Sequence, residues 1–457
     1  MKFCPECGSF LIGKKFCSEC GANIENYLNN HDSINKNFDN IDFAKLEKET
    51  SLQFNEQVGF EVQNGVLTKY TGKSRMVVIP SYITEIYDEA FKNNDTLLSV
   101  IVGENVRIIG KQAFLNCHHL QEVVLPNGIC EIYNSAFEGC DELKKINIPE
   151  NLSLIRHRVF FGCRKIENIN FPSNIKKVDS DAFCLTSFKR IDIDNLNSWL
   201  NVEFANVNAR PVGQLYINNS LLTHLVVPDG ITTINHYAFM GQQLLSISFP
   251  TSLKKIGSEA FAKTELTNVS LPEGLEEIGY YAFSQCKKLR MCYLPNSLKT
   301  ICKYAFINCE SLESINIPAN VKVLEHCSFE GCQNLKDIIL NEGLTRIDQR
   351  VFYGCRKLNS IVIPSTVFGI HSWAFSGCDN LEDVTFKEGM NAIFDYAFEN
   401  CPKLQNIVLP KSVTLLTCAF DSSVKMAKIP AHLKELERRN SAEFLPRFSK
   451  NTIINEY

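Results

Sequence analysis

Apolar residues return along this chain with a period far longer than that of a single strand or helix. Phe recurs at 91, 114, 137, 160 and 183, then at 239, 261, 283, 306, 329, 352, 375, 398 and 420. Successive spacings are 22 or 23 residues, with one gap of 56 between Phe183 and Phe239. Eleven of the fourteen follow Ala; Val159, Ser328 and Val351 stand there in the others. Each period holds a second pattern. Between Phe114 and Phe137, Leu120, Val123 and Leu125 are the inward positions of an extended segment. Pro126 ends it, because proline cannot donate to an interior ladder. Ile129 and Ile132 mark a second short buried edge, and Ala136-Phe137 fills the core at a tight corner. Twelve of the 16 prolines share the strand-ending position, which Gly103, Asn341 and Lys387 take elsewhere. One such unit cannot enclose its own apolar side, so the pattern predicts stacked turns that bury one another.

This unit resembles the BspA-like leucine-rich repeat, with a pattern near Leu-x-x-Ile-x-Ile-Pro-x-x-Val-x-x-Ile-x-x-x-Ala-Phe-x-x-Cys. Leu312 to Pro318 followed by Val321 to Leu324 is a clear instance, and the resemblance covers about residues 58–430. It implies a β-rich leucine-rich-repeat solenoid of parallel strands with short helical turns, and a binding or adhesion scaffold rather than an enzyme. Solenoid block 1 is expected over 58–183 and block 2 over 228–430. An irregular stretch at 184–227, with Trp199 and Pro211, is read as an eroded repeat; a bend or loop-bearing insertion is the alternative. Its end, from Gln214, starts much like Phe60 to Thr68, as a lead-in before a run. Residues 431–457 are expected to cap the open end, with an amphipathic helix from Leu433.

Fourteen of the 31 Phe form the ladder, and the 19 Cys divide as well. Nine follow the ladder Phe by three residues: Cys117, 140, 163, 286, 309, 332, 355, 378 and 401. Asn94, Thr186, Gln242, Thr264 and Ser423 replace them in other turns. That exchange suits a cramped turn where a small side chain bonds the backbone, and a thiol is a small hydrophobe with a weak donor. A repeat of about 5 Å does not forbid disulfides, but nothing pairs these positions and reduced structural thiols are expected. Cys130, 184, 292, 302, 327 and 418 are scattered and read the same way.

The remaining four make two Cys-x-x-Cys knuckles, Cys4-Pro-Glu-Cys7-Gly8 and Cys17-Ser-Glu-Cys20-Gly21. Four thiolates in this arrangement close a tetrahedral site that favours Zn²⁺, with iron as the alternative. So short a segment holds too little apolar mass to fold without a metal. Residues 1–24 resemble the zinc ribbon at the N-terminus of many bacterial proteins, which implies one structural Zn per chain on Cys4, Cys7, Cys17 and Cys20. Residues 25–57 carry seven acidic residues and three Lys without Gly or Pro, the composition of a flexible linker.

Charge and absent motifs narrow the function. The net charge is −4, with 47 Lys+Arg against 51 Asp+Glu, so there is no broad capture of nucleic acid. The ribbon sets Lys2, Lys14 and Lys15 against Glu6 and Glu19, with no basic stripe. No apolar run is long enough for membrane insertion, and the first residues lack an apolar secretory segment. No phosphate-binding glycine loop, nucleophile elbow or His-Glu-x-x-His occurs, and His157, His236 and His326 occupy a solvent-type repeat position. The expectation is a cytoplasmic, non-enzymatic protein-interaction scaffold. The alternative is a cell-surface or secreted adhesion protein, exported by a non-standard route, that binds host or matrix ligands. Two surfaces are candidates for a protein partner. Tyr237, Tyr281, Tyr304, Trp373 and Tyr396 lie two residues before ladder Phe and form an interrupted stripe; packing over the corner is the favoured reading of them. The outward strand positions Ser246, Ser248, Asn268, Ser270, Ser314, Asn316 and Ser360 are small and uncharged.

Overall fold

The computed structural model describes residues 2–3, 10–11, 59–433 and 452–457. Cys4, Cys7, Cys17, Cys20, the 25–57 linker and most of the expected capping helix lie outside the described residues. Lys2–Phe3 pairs antiparallel with Phe10–Leu11. The chain divides into two compact units, Met1–Leu221 and Leu222–Tyr457.

Each repeat contributes a long strand, a short strand and a corner. In the first unit the long strands run from Met76–Val78 to Gln214–Ile217 in two parallel sheets, and the short strands from Glu85–Ile86 to Glu203–Phe204. In the second unit nine short strands, Thr233–Ile234 to Leu415–Leu416, form one unbroken parallel sheet. Pairing joins equivalent residues of successive turns, as in Glu277 opposite Thr300 and Ile278 opposite Ile301. One face of each strand is therefore buried in the same way turn after turn.

The corner forms a third ladder without β geometry. The ladder Phe donates its N–H to the carbonyl just before the next ladder Phe: Phe91 to Ala113 at 2.7 Å, Phe306 to Ser328 at 2.8 Å, Phe375 to Ala397 at 2.7 Å. The residues two before and two after it do the same, Glu89 to Lys111 and Asn93 to Leu115. Both flanking positions are left-handed, with φ of 61° at Glu89, 57° at Asn93, 58° at Trp373 and 73° at Gly377. This alternation breaks any run of right-handed residues, so the corners are not the short helical turns expected. Their local bonds are three-residue closures, such as Asn94 N–H to Phe91. Helix is minimal: the one complete helix among the described residues is Leu196–Leu200. Inside the corners the rings stack nearly parallel, from 4.7 Å between Phe91 and Phe114 to 5.9 Å between Phe137 and Phe160. Tyr70 begins this column one turn before the first ladder Phe. Its N–H donates to Ala90 and its ring lies 5.1 Å from Phe91.

The irregular stretch keeps the ladders rather than losing them. Arg190–Ile193 pairs with Asn168–Phe171, and Glu203–Phe204 pairs with Lys177–Val178. Phe183 donates to the Asn208 carbonyl, which puts Ala209 in the ladder-Phe position. The helix Leu196–Leu200 sits between these strands, with Asn195 accepting from the Ser198 N–H as its N-cap. It buries Trp199 against Phe171 and Phe204, at 5.1 and 5.4 Å. Gln214–Ile217 then turns into Ser220–Leu221 through Asn218 and Asn219, at φ 50° and 62°. Phe60–Gln63 and Val66–Tyr70 form the same kind of hairpin through Asn64 and Gly65, both left-handed, as a two-residue turn of this twist requires.

Left-handed backbone at a side chain with a Cβ costs about 1–2 kcal/mol, and the extra freedom of Gly offsets about 0.5–1 of that relief. Gln112, half-buried at φ 57°, tests this. Gln112→Gly is expected to leave the urea midpoint unchanged or raise it, and Gln112→Val to lower it by more than about 1 kcal/mol in stability. Equal losses in the two variants would contradict the left-handed assignment.

Candidate binding surfaces

The nine column cysteines are fully buried. Each sulfur donates to the carbonyl of the ladder Phe one turn earlier, at 3.1 Å for Cys117 to Phe91 and Cys309 to Phe283, and up to 3.5 Å for Cys355 to Phe329. Thr186 and Thr264, in the same place, bond the Phe carbonyl of their own turn at 2.6 and 2.9 Å. Cys and Thr fill the position by donating into the corner, whereas Asn94 accepts there, from the Leu97 N–H at 3.1 Å, and the larger Gln242 is also buried. Burial pushes these thiols up, to about 12 for Cys117, Cys332 and Cys401 and about 11 for Cys286. They are structural donors and poor nucleophiles. Among the described residues no group of three or more His, Cys, Asp or Glu could hold a metal.

The five aromatic residues do not form a continuous stripe. Tyr281 and Tyr304 stack at 4.5 Å and 4°, and Trp373 and Tyr396 at 5.3 Å and 18°. Cys327 and Arg350 stand between the two pairs, and Tyr237 packs beside His236. The stacked faces cover one another, which suits them poorly as platforms for a flat ligand. Charged residues at the same repeat position pack over the residue that follows the ladder Phe. Arg158 lies 3.9 Å over the Phe161 ring, Arg350 lies 4.2 Å over Tyr353, and Glu89 meets Lys92 at 2.7 Å.

The outward strand face of the second unit differs from both columns. Ser246, Ser248, Asn268, Ser270, Asn316 and Ser360 are exposed, and Ser314 is half-buried. The same face carries apolar residues that were not singled out above: Tyr293 is 59% exposed, Ile339 58%, Val408 54% and Val362 50%. They are in register with the small residues, Tyr293 beside Ser270 and Ile339 beside Asn316. Strand alternation alone marks them as outward, so the signal was present in the sequence. Ion pairs between turns flank the face, Arg290 to Glu313 and Lys387 to Glu342, both at 2.8 Å.

In the first unit the equivalent face is mixed: Val78, Ile101 and Val124 share one register position in the early turns, and Asn147, Asn170 and Asp192 hold it later. Arg190 pairs with Asp192 and lies over the Tyr216 ring. A groove of about 470 Å³ opens where the Asn147 amide bonds both the N–H and the carbonyl of Leu125, at 2.8 and 2.7 Å. Exposed Asn168 and Asn170 line it, with Glu104 and Glu150. No helix among the described residues is long and apolar enough to cross a membrane.

The profile of the BspA type leucine rich repeat region matches this chain in six copies, over residues 84–209, 213–336 and 299–427. A solved leucine-rich repeat protein from Bacteroides ovatus is 21% identical, over 89% of this chain and 97% of its own, with a TM-score of 0.55. A leucine rich cell surface protein from Faecalibacterium prausnitzii is 24% identical over 73% of this chain and 94% of its own, at a TM-score of 0.45. The first of these shares the fold. No curated protein matches the chain.

The thiol column gives a pH prediction. A buried thiol holds its proton more tightly in the fold than in the unfolded chain, so its contribution is complete below the ordinary thiol range, near 9. It is lost as pH rises from there toward 11 to 12. The slope reaches about 1.4 kcal/mol per pH unit for each titrating thiol. Urea midpoints in reductant, taken on both sides of the thiol range, should fall less steeply for a Cys286→Ala/Cys309→Ala/Cys332→Ala variant than for the parent chain. Parallel losses would show that the column does not carry the effect.

Proposed function

The chain belongs to the BspA-type leucine-rich repeat family, and we propose that it is a non-enzymatic scaffold that docks a protein partner on the strand face of its second unit. The observation that carries this reading is the exposed apolar set Tyr293, Ile339, Val362 and Val408, spaced along small uncharged neighbours. Isolated exposed apolar residues are ordinary, but a line of them at one register position, bordered by ion pairs, has the make-up of an interface core with a polar rim. The net charge of −4 and the lack of a basic stripe favour protein over nucleic acid. Ile339→Lys and Val362→Lys together should abolish co-purification of the partner. Both sites are at least half exposed, so stability should stay within about 0.5 kcal/mol. If the same proteins co-purify with this variant, the strand face is not the docking site.

We also propose that Cys4, Cys7, Cys17 and Cys20 hold one structural Zn²⁺. The support is the paired-knuckle spacing, with Gly8 and Gly21 after the second cysteine of each pair, where the backbone can turn its N–H groups toward sulfur. Four protein ligands leave no open coordination position, so the metal would fold the segment rather than react. Metal analysis of the full chain should return one zinc per molecule. Cys7→Ser should lose it while the urea midpoint of the solenoid stays put. Full zinc in Cys7→Ser, or none in the parent, would refute the assignment.

A further inference from the structure

The long-strand ladder of the second unit ends on a strand that belongs to no repeat. Ile453–Glu456 pairs in parallel with Met426–Ile429 over all four residues, Met426 opposite Ile453 through Ile429 opposite Glu456. Its main chain is well held. Ile453 N–H donates to the Lys425 carbonyl at 2.8 Å, Tyr457 N–H to Ile429 at 3.3 Å, and the Thr452 hydroxyl to Val424 at 2.6 Å. The Tyr457 hydroxyl reaches the Leu409 carbonyl, and the Tyr457 ring lies 4.8 Å from the Lys428 ammonium and 5.8 Å from that of Lys411.

Its side chains are held much less. The strand before it buries both inward residues, Ala427 and Ile429, as does Ser360–Ile363 with Ile361 and Ile363. In Ile453–Glu456 the matching positions are Ile454, only half-buried, and Glu456, exposed, while Ile453 is 62% exposed. The segment thus has a full set of ladder bonds with about half the usual apolar anchoring. That is the balance found in strands added to a sheet edge, where main-chain bonds give affinity and a few side chains give selectivity. Such a strand is expected at the low-stability end of the fold.

We propose that the Met426–Ile429 edge is a parallel-strand acceptor, filled by residues 453–456 of the same chain and able to take the same strand from a second copy instead. The acceptor selects an apolar residue opposite Ala427 and an aromatic residue three positions later that fits between Lys411 and Lys428. Exchange is a one-for-one replacement of one parallel strand by an identical one, so the ladder bonds are conserved. This site is separate from the strand face proposed above, and its test reads nothing from that face.

The probe is a fluorescent peptide with the sequence of residues 451–457, added to the full-length chain and followed by anisotropy. Ile454→Asp in the chain weakens the resident strand without touching the acceptor. The peptide should bind that variant at least tenfold more tightly than the parent chain, in which the resident strand competes. A peptide carrying the same Ile454→Asp change should bind neither. Equal binding to both chains, or no binding to a folded variant, overturns the proposal. Hydrogen exchange on the parent chain gives an independent reading. Amides of residues 453–456 should exchange at least a hundredfold faster than those of Ser314–Ile317 in the ladder interior, and equal protection would show a permanently built-in strand.

Discussion

Everything in this fold follows from hydrogen bonds that run from one turn to the next at the spacing of a parallel sheet, about 4.8 Å. Because the strands and the corners both bond this way, every repeat position becomes a column in which each side chain meets its own counterpart. A column has one environment and must satisfy it at every turn. Phe does so in the corner because its rings stack on one another at 4.7–5.9 Å and stay buried turn after turn. Cys does so because its sulfur reaches the Phe carbonyl of the turn before. Where the column fails, the chain compensates locally. Ala209 replaces Phe, and Phe188 closes edge-on against Phe183 at 5.7 Å.

The two left-handed positions of the corner show how side chains and backbone share the cost of this geometry. The position two after the ladder Phe is mostly Gly or Asn, as at Gly139, Gly162, Gly354, Gly377, Asn116 and Asn308. A Cβ at Gly354 would meet nothing, so conformation alone selects glycine there, whereas a Cβ at Gly139 would also come within 2.5 Å of the Asn116 side-chain oxygen. Two residues before the Phe the same φ is held by Tyr, Trp, Arg and Glu. Here the side chain has something to pack on: a stacked neighbour for Tyr281 and Trp373, an aromatic ring for Arg158 and Arg350. Contact energy of this kind offsets a backbone penalty of about 1–2 kcal/mol.

What could be read from the chain beforehand divides along the same line. The ladder, the strand-ending prolines and the thiol position were legible because one environment is sampled many times, which turns a weak local preference into a period. Tyr70 and Ala209 were not, because each changes both the residue and the spacing, 21 residues to Phe91 in one case and 26 from Phe183 in the other. The left-handed corner was hidden for the opposite reason: Trp and Tyr are poor markers of positive φ, so propensity pointed away from it. The helix around Trp199 had no period to announce it. Of the candidate surface, the small strand residues stood out by composition, whereas Tyr293 and Ile339 were passed over although alternation placed them on the same face. The knuckle cysteines are a motif of spacing, legible without any fold around them.

A solenoid interior built from columns leaves little freedom for function. The inward strand positions, the Phe and the thiol are fixed by the ladder, and the residues flanking the corner are engaged in supporting it. The outward strand positions are the ones where a turn can change without disturbing its neighbours. The two units use that freedom differently. The first places Arg190 and Asp192 in mutual contact and lets Asn147 bond the backbone, while the second sets exposed apolar residues at intervals among small polar ones, with Asp337, Asp383 and Lys428 on the same face. Tyr293 and Val408 are five turns apart on that face, a separation of about 24 Å at the sheet spacing. A partner reaching all four apolar residues must therefore extend across the strands, along the direction of stacking. A helix of about 16 residues has that length, whereas a loop tip does not, so the surface favours an elongated partner whose own apolar stripe can follow the ladder.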